Sequence, residues 1–213
     1  MNIILLGSPG SGKGTQAQKI SEKFKLTQIS TGELLRNEII DKTDIGKEIE
    51  HSISKGGFAT DDIVNRLLKK ITTNTNFRNK IIFDGYPRNI SQAKNLDLLL
   101  SSDNQSINYI FFLKVPRNII EKRILERITC EKCNKSFNEI NNKIEIKKHK
   151  CGEKYLVKRK DDNKESLINR YDEYMKKTKS VLEFYSTRSY YYEIDGNEKI
   201  EVISSKIEQI LTV

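Results

Sequence analysis

Four short, largely apolar runs frame this chain: Ile3-Ile4-Leu5-Leu6, Lys80 to Asp84, Tyr109-Ile110-Phe111-Phe112-Leu113, and Tyr190 to Ile194. Strands of this kind are buried on both faces, as in a parallel sheet covered by helices. Gln28-Ile29-Ser30 adds a shorter fifth candidate. The first run passes through Gly7-Ser8-Pro9-Gly10-Ser11-Gly12 into helical spacing at Ala17, Ile20 and Phe24, which reads as strand, loop and helix. Ile63, Val64, Leu67, Leu68 and Ile71 keep helical spacing. So do Leu167, Ile168, Tyr171, Met175, Leu182 and Tyr185, which predict one long helix, and the tail from Ile200 to Leu211. Two stretches interrupt the rhythm: residues 31–60 look helical with no strong strand, and residues 128–160 have no clear helical period.

Composition narrows the class. With 213 residues, 36% hydrophobic and 31% charged, the chain suits a polar globular domain with inserts. No apolar run approaches the roughly 20 residues of a membrane span, and the start lacks a basic, signal-like segment, so a cytoplasmic protein with no membrane partner is expected. The net charge of +9 favours polyanions. Residues 128–160 hold ten basic and four acidic side chains, so +6 of that excess lies in one insert. Lysines number 28 and arginines only 10, which singles out each arginine: its planar fork suits phosphate.

Gly7-Ser8-Pro9-Gly10-Ser11-Gly12-Lys13 fits G-x-x-x-x-G-K in the required strand-to-helix context. Backbone N–H groups, the helix N-terminus and Lys13 together cradle a polyphosphate. The usual Ser/Thr after the lysine is Gly14, and the hydroxyl comes at Thr15. In the Phe83-Asp84-Gly85-Tyr86-Pro87-Arg88 string, an acid ends an apolar strand beside the phosphate loop. It reads either as an anchor for magnesium-bound water or as a turn residue. Arg88 can reach a phosphate, and Gln92 lies four residues further on the same side. Ser30-Thr31-Gly32-Glu33-Leu34-Leu35-Arg36 suggests Thr31 as a cap of a helix carrying Arg36. Arg123 and Arg127 share a helix face at i, i+4. Taken singly, these arginines and Arg159 and Arg170 read as surface ion-pair residues.

Taken together, the loop Gly7-x-Pro9-Gly10-x-Gly12-Lys13-Gly14-Thr15, the Asp84-Gly85-Tyr86-Pro87-Arg88-x-x-x-Gln92 string and the Thr31–Arg36 segment resemble the adenylate kinase family. Glu33 stands where the family usually has Asp, and Asn89 where Thr is frequent. The resemblance implies an α/β fold: a doubly wound parallel sheet of about five strands, of the P-loop nucleoside monophosphate kinase type, with two inserted mobile subdomains. Residues 1–29, 61–127 and 161–213 would form the core, 30–60 an AMP-binding subdomain and 128–160 a lid. It further implies reversible transfer of the terminal phosphoryl group of MgATP to AMP, giving two ADP, by a monomer. Gly10, Ser11, Gly12, Lys13, Gly14, Thr15, Arg123, Arg127, Ser136, Phe137 and Glu198 would then hold ATP. Thr31, Arg36, Gly57, Phe58, Ala59, Gly85, Tyr86, Pro87, Arg88, Gln92, Arg159 and Arg170 would hold AMP. Lys13, Asp84, Arg88, Arg123, Arg127, Arg159 and Arg170 would carry the catalysis. Such a transfer leaves positioning and charge stabilisation as the protein's work, without general base or covalent intermediate. Asp161 and Asp162 would hold lid hinges or arginines in place, and a closing lid would exclude water.

All three cysteines fall between Cys130 and Cys151, and one of only two histidines lies with them. Cys130-x-x-Cys133 with His149-x-Cys151 offers zinc ligands, with Glu153 as an alternative fourth; free thiols or a redox pair are the other readings. A metal could staple an insert without a core, and bacterial adenylate kinases with long lids resemble this arrangement. His51, alone on a helical stretch, reads as a surface residue. Another nucleoside monophosphate kinase, a GTP-using form, or a basic zinc-ribbon protein that binds nucleic acid are the rival readings. The last accounts for charge and cysteines but not for the glycine loop.

Overall fold

The structure, a computed structural model, describes residues 1–55, 57 and 59–212. Phe58 lies outside the described residues. The chain order is β1 (Ile3–Leu6), α1 (Lys13–Phe24), β2 (Thr27–Ser30), α2 (Thr31–Ile40), α3 (Asp44–Ser54), α4 (Asp61–Thr72), β3 (Ile81–Asp84), α5 (Ile90–Ser102), β4 (Tyr109–Lys114) and α6 (Arg117–Leu125). Then come β5 (Arg127–Cys130), β6 (Ser136–Asn138), α7 (Lys143–Lys147), β7 (Leu156–Val157), α8 (Lys164–Glu173), α9 (Lys179–Ser186), β8 (Tyr191–Asp195) and α10 (Ile200–Leu211).

The five expected strands form one sheet in the order β2-β3-β1-β4-β8, parallel throughout. Ile3 registers with Ile82 on one side and Tyr109 on the other. Alternation explains why the strands read apolar throughout. Ile4, Leu6, Ile81 and Phe83 pack on one face against α4, α5 and α9, through Leu68, Leu96 and Val181. Ile3, Leu5 and Ile82 pack on the other against Ala17 and Ile20 of α1 and Ile203 and Ile207 of α10. From β1 the chain moves to one side for β2 and β3, then crosses to the other for β4 and β8. The C-terminal end of β1 is therefore the topological switch point, where open α/β sheets bind ligands.

The two interruptions have different architectures. The first holds α2 and α3, whose Leu35 and Ile49 join Ile63 and Leu67 of α4 in a small separate cluster. Residues 127–157 contain an antiparallel sheet, β6-β5-β7, with Thr129 opposite both Ser136 and Val157. Among the described residues, no helix is long and apolar enough to cross a membrane.

The single long helix expected near the C-terminus needs correction. A π-helical turn, Tyr174–Thr178, separates α8 from α9. A π turn holds an extra residue and rotates the helix beyond it. Tyr174, Thr178 and Val181 therefore face inward, while Met175, expected on the apolar face, is exposed.

Candidate active site

The loop after β1 bends where its glycines permit it. Gly10 and Gly12 hold φ of 78° and 96°, a left-handed region that L side chains rarely adopt. A Cβ on Gly10 would also meet Ile124 at 2.8 Å. Lys13, at the head of α1, curls back: its Nζ donates to the carbonyls of Gly7 and Ser8 at 2.7 and 2.9 Å. Burial pushes its pKa down to about 8, partly opposed by Asp84. An arriving phosphate would replace carbonyl oxygens with charged ones and so strengthen every one of these contacts.

Asp84 sits buried at the end of β3. Gln28 of β2 donates to its Oδ2 at 3.0 Å. A Cβ on Gly14 would stand 3.4 Å from the same oxygen. The carboxylate thus lies beside Gly14 at the mouth of the loop, an oxygen ligand of the hard type that suits Mg²⁺ or its waters.

One cavity of about 910 Å³ is lined by Lys13, Asp84, Arg36, Arg88 and the pairs Arg123/Arg127 and Arg159/Arg170. Seven elements or loops deliver these cations to one gap. Gly10, Ser11, Gly12, Gly14, Thr15, Gly85, Pro87, Ser136, Phe137 and Glu198 line it as well. The arginines fall into two groups. Arg127 forms a two-pronged pair with Asp162, its Nε at 2.7 Å from Oδ2, and Arg170 pairs with Asp161 at 2.9 Å. These are the holding roles expected of Asp161 and Asp162. Burial would raise the Asp161 pKa, but Arg170, Arg36 and Arg127 hold it below the usual carboxylate range.

Arg159 instead leans on hydroxyls, its Nε at 3.1 Å from Thr129 Oγ1 and its Nη2 at 3.3 Å from Ser136 Oγ. Arg88 Nε donates to the Gly85 carbonyl at 2.7 Å, and Arg123 Nη1 to the Gly196 carbonyl at 2.9 Å. Burial presses Arg36, Arg88, Arg159 and Arg170 below the ordinary guanidinium range. Guanidinium basicity is high enough for them to stay charged. Cations crowded together at this cost await an anion.

A second cavity, of about 320 Å³, adjoins the first and is lined by Thr31, Ala59, Asp61, Tyr86, Arg88 and Gln92, among others. Thr31 is not the cap of α2. Ser30 is, its Oγ accepting the Glu33 N–H at 3.4 Å, because Ser30 keeps extended backbone while Thr31 is already helical. Thr31 Oγ1 donates to the Gly85 carbonyl at 2.9 Å and ties α2 to the turn after β3. Tyr86 is buried in the core, with its hydroxyl on Asn65 and the Gln92 carbonyl. Gly57 lines neither cavity. Asn134, beyond β5, hydrogen-bonds Glu33 of α2, so the two inserts meet across the gap.

Cys130, Cys133, His149 and Cys151 converge: their ligand atoms all lie within 4.8 Å of one another. A zinc tetrahedron with bonds of about 2.3 Å needs ligand separations of about 3.8 Å, so a small contraction closes the site. Burial raises the Cys130 thiol, but hydrogen bonds from His149 and from the Cys133 and Lys132 backbones more than offset it and lower its pKa to about 6. A Cys₃His set converging in this way fits a structural zinc. His149, not Glu153, completes it, and the ring packs edge-on to Phe137 at 5.0 Å. The one-residue spacing of His149 and Cys151 is accommodated because the chain turns there, with the Gly152 N–H on the His149 carbonyl at 2.9 Å.

Sequence reasoning missed Gln28, Asp61 and the hydroxyl of Thr129. Each acts through another side chain, across elements distant in the chain, and no local motif marks such a partner.

A glycine loop at the switch point, facing a cavity lined by Lys13 and six arginines, defines a P-loop kinase of the nucleoside monophosphate class. The family model described as Adenylate kinase matches residues 5–190, and the chain belongs to that family. It is 57% identical over 213 residues to the adenylate kinase of Pelagibacter ubique, covering 100% of both chains. To that of Archaeoglobus fulgidus it is 36% identical over 99% of this chain and 98% of the relative. To that of Mycoplasma mycoides it is 38% identical over 93% and 92%. The reaction is reversible phosphoryl transfer from ATP to AMP, giving two ADP, with Mg²⁺ accompanying the nucleotide.

Proposed function

We propose that both nucleotides meet at the large cavity, with the acceptor reaching into the smaller one, and that the surrounding residues divide the work between donor and acceptor. The loop from Gly10 to Thr15 and Lys13 hold the donor polyphosphate. Arg123 and Arg127 face ATP, and Ser136, Phe137 and Glu198 lie along its nucleoside. Thr31, Arg36, Arg88 and the Gly57–Ala59 and Gly85–Pro87 segments hold AMP, whose base meets Gln92. Arg159 and Arg170 lie between. Residues 30–60 and 128–160 act as mobile flaps on the core of 1–29, 61–127 and 161–213, and the separate antiparallel sheet of the second supports this division.

In the transfer, an oxygen of the AMP phosphate attacks the terminal phosphorus of ATP. One P–O bond forms, the bond to the bridging oxygen breaks, and ADP departs with the bonding electrons. No proton need move, so the chain supplies alignment and positive charge rather than a base. Lys13 and the arginines stabilise the oxygens on which charge redistributes. Mg²⁺, when bound with ATP, neutralises phosphate oxygens, and Asp84 is the residue to hold its waters. These groups form the site without a second subunit, and a monomer is the form proposed. Nucleotide substrates and metal-holding thiols suit the cytoplasm, and the basic excess of residues 128–160 serves nucleotides, not nucleic acid.

The convergence of Lys13 and six arginines on one cavity carries this reading. A coupled assay with ATP and each monophosphate tests it. Strong turnover of AMP with little of UMP, CMP or GMP is expected, and replacing ATP by GTP should lower it. Salt-sensitive RNA binding without turnover would overturn it.

A further inference from the structure

Gln92 is buried against the smaller cavity, and both ends of its amide are engaged. Its Oε1 accepts the backbone N–H of Arg88 at 2.8 Å, and its Nε2 donates to Asp61 Oδ1 at 2.7 Å. The two neighbours have opposite character: a backbone N–H only donates, and a carboxylate only accepts. Turning the amide over would set N–H against N–H at one end and oxygen against oxygen at the other. Amide orientation is commonly ambiguous; here it is determined twice. Asp61 is itself held in place. Asn89 Nδ2 donates to both its oxygens, at 2.9 and 3.1 Å, while Asn89 Oδ1 accepts the Gln92 backbone N–H at 2.8 Å. The starts of α4 and α5 are thereby tied together through three side chains.

We propose that Asp61 is a specificity-determining positioning residue: by locking the Gln92 amide, it makes the acceptor site choose a 6-amino purine over a 6-oxo purine. This rests on the proposed function, in which Gln92 meets the acceptor base. Nε2 keeps one N–H and Oε1 one lone pair for a ligand. Adenine presents a donor at N6 beside an acceptor at N1. Guanine and hypoxanthine present an acceptor at O6 beside a donor at N1, the same positions with polarity reversed. A rotatable amide serves both patterns; a locked one serves one and leaves the other with like groups facing in a buried site.

Inosine monophosphate is the cleanest probe, because it differs from AMP only at this edge and adds no bulk. With ATP as donor, kcat/KM for AMP and IMP is measured in the native chain and in Asp61→Asn, Asp61→Ala and Gln92→Leu. Equilibrium binding of each monophosphate is measured alongside. Asn at 61 cannot accept from Gln92 and Asn89 together without turning an N–H toward a donor, and Ala accepts from neither. The AMP-to-IMP ratio should fall at least tenfold in both Asp61 variants, through KM and the binding constants. KM for ATP, which general damage would move, should stay within twofold. An unchanged ratio in both Asp61 variants, while Gln92→Leu abolishes it, overturns the lock and keeps Gln92 as base reader. Equal losses for AMP and IMP in the Asp61 variants also overturn the lock. An unchanged ratio in Gln92→Leu overturns the base-reading role itself.

Discussion

The parallel sheet buries Ile3, Ile4, Leu5, Ile81, Ile82 and Phe83 completely, whereas the small antiparallel sheet buries only Cys130 and Phe137 among its described apolar side chains. Hydrophobic burial, at roughly 25 cal/mol per Å², holds the first. The second depends on a few hydroxyl and amide hydrogen bonds and on four metal ligands around Cys130. The difference suits the tasks proposed for them. A loop that must present N–H groups to a polyphosphate needs a rigid base, so it grows from the best-packed strand. A flap that must open to admit nucleotides cannot be welded to that core. At its edge Arg127 is held by an ion pair with Asp162, and within it Arg159 leans on the hydroxyls of Thr129 and Ser136, contacts that can be exchanged, while its own shape comes from a metal.

The sharpest way to break this contrast is to damage each region separately. Phe83→Ala, between two layers of the core, should lower global stability by about 3–5 kcal/mol. Removing zinc with a chelator should leave global unfolding close to native and raise hydrogen exchange only across residues 127–160. Denaturant melts and exchange mass spectrometry would read both; a cooperative loss of the whole sheet on chelation would mean that the two regions are one unit.

The contrast extends to function. Lys13→Ala should lower kcat by about 10²–10³-fold, the scale for losing a charge-stabilising donor, while the melt stays unchanged. Retained turnover would sink the phosphate-cradle assignment.

The smallest effect is in pH. Lys13 is pushed down to about 8 in the nucleotide-free chain. Below that pH it carries its proton; above it the charge is lost. kcat/KM for ATP, which reports the free enzyme, should therefore fall above about pH 8, by up to tenfold per unit. Bound phosphates favour the charged form, so the same limb should lie at higher pH in kcat. A profile flat to pH 9.5 would show that burial does not depress this lysine.

Much of this is legible in the sequence because the signals are local. A strand buried on both faces is apolar at every position, so four of the five core strands stand out, and Gln28-Ile29-Ser30 reads as the weaker fifth. The glycine loop and the Asp84–Gln92 string carry their spacing with them. The small sheet is not visible as strands. Arg127–Cys130 and Ser136–Asn138 are too short for a period, and a metal supplies what apolar patterning would otherwise announce. The cap of α2 reads one residue late, since Ser30 and Thr31 are both good caps and only backbone conformation separates them. The π turn at Tyr174 shifts one helical face, because a single inserted residue leaves no mark in composition.

The order of the core strands and helices and the phosphate loop were determined along the chain, by contacts between near neighbours, whereas His149 over Glu153 as the fourth metal ligand was decided by the fold. Which cations share one gap, which carboxylate holds which arginine, and how the Gln92 amide is turned were decided only when Asp61, Asp84 and Asp162 met residues 28 to 56 positions away. A hydrogen bond has direction and a charge has sign, and neither can act until folding has set the distance.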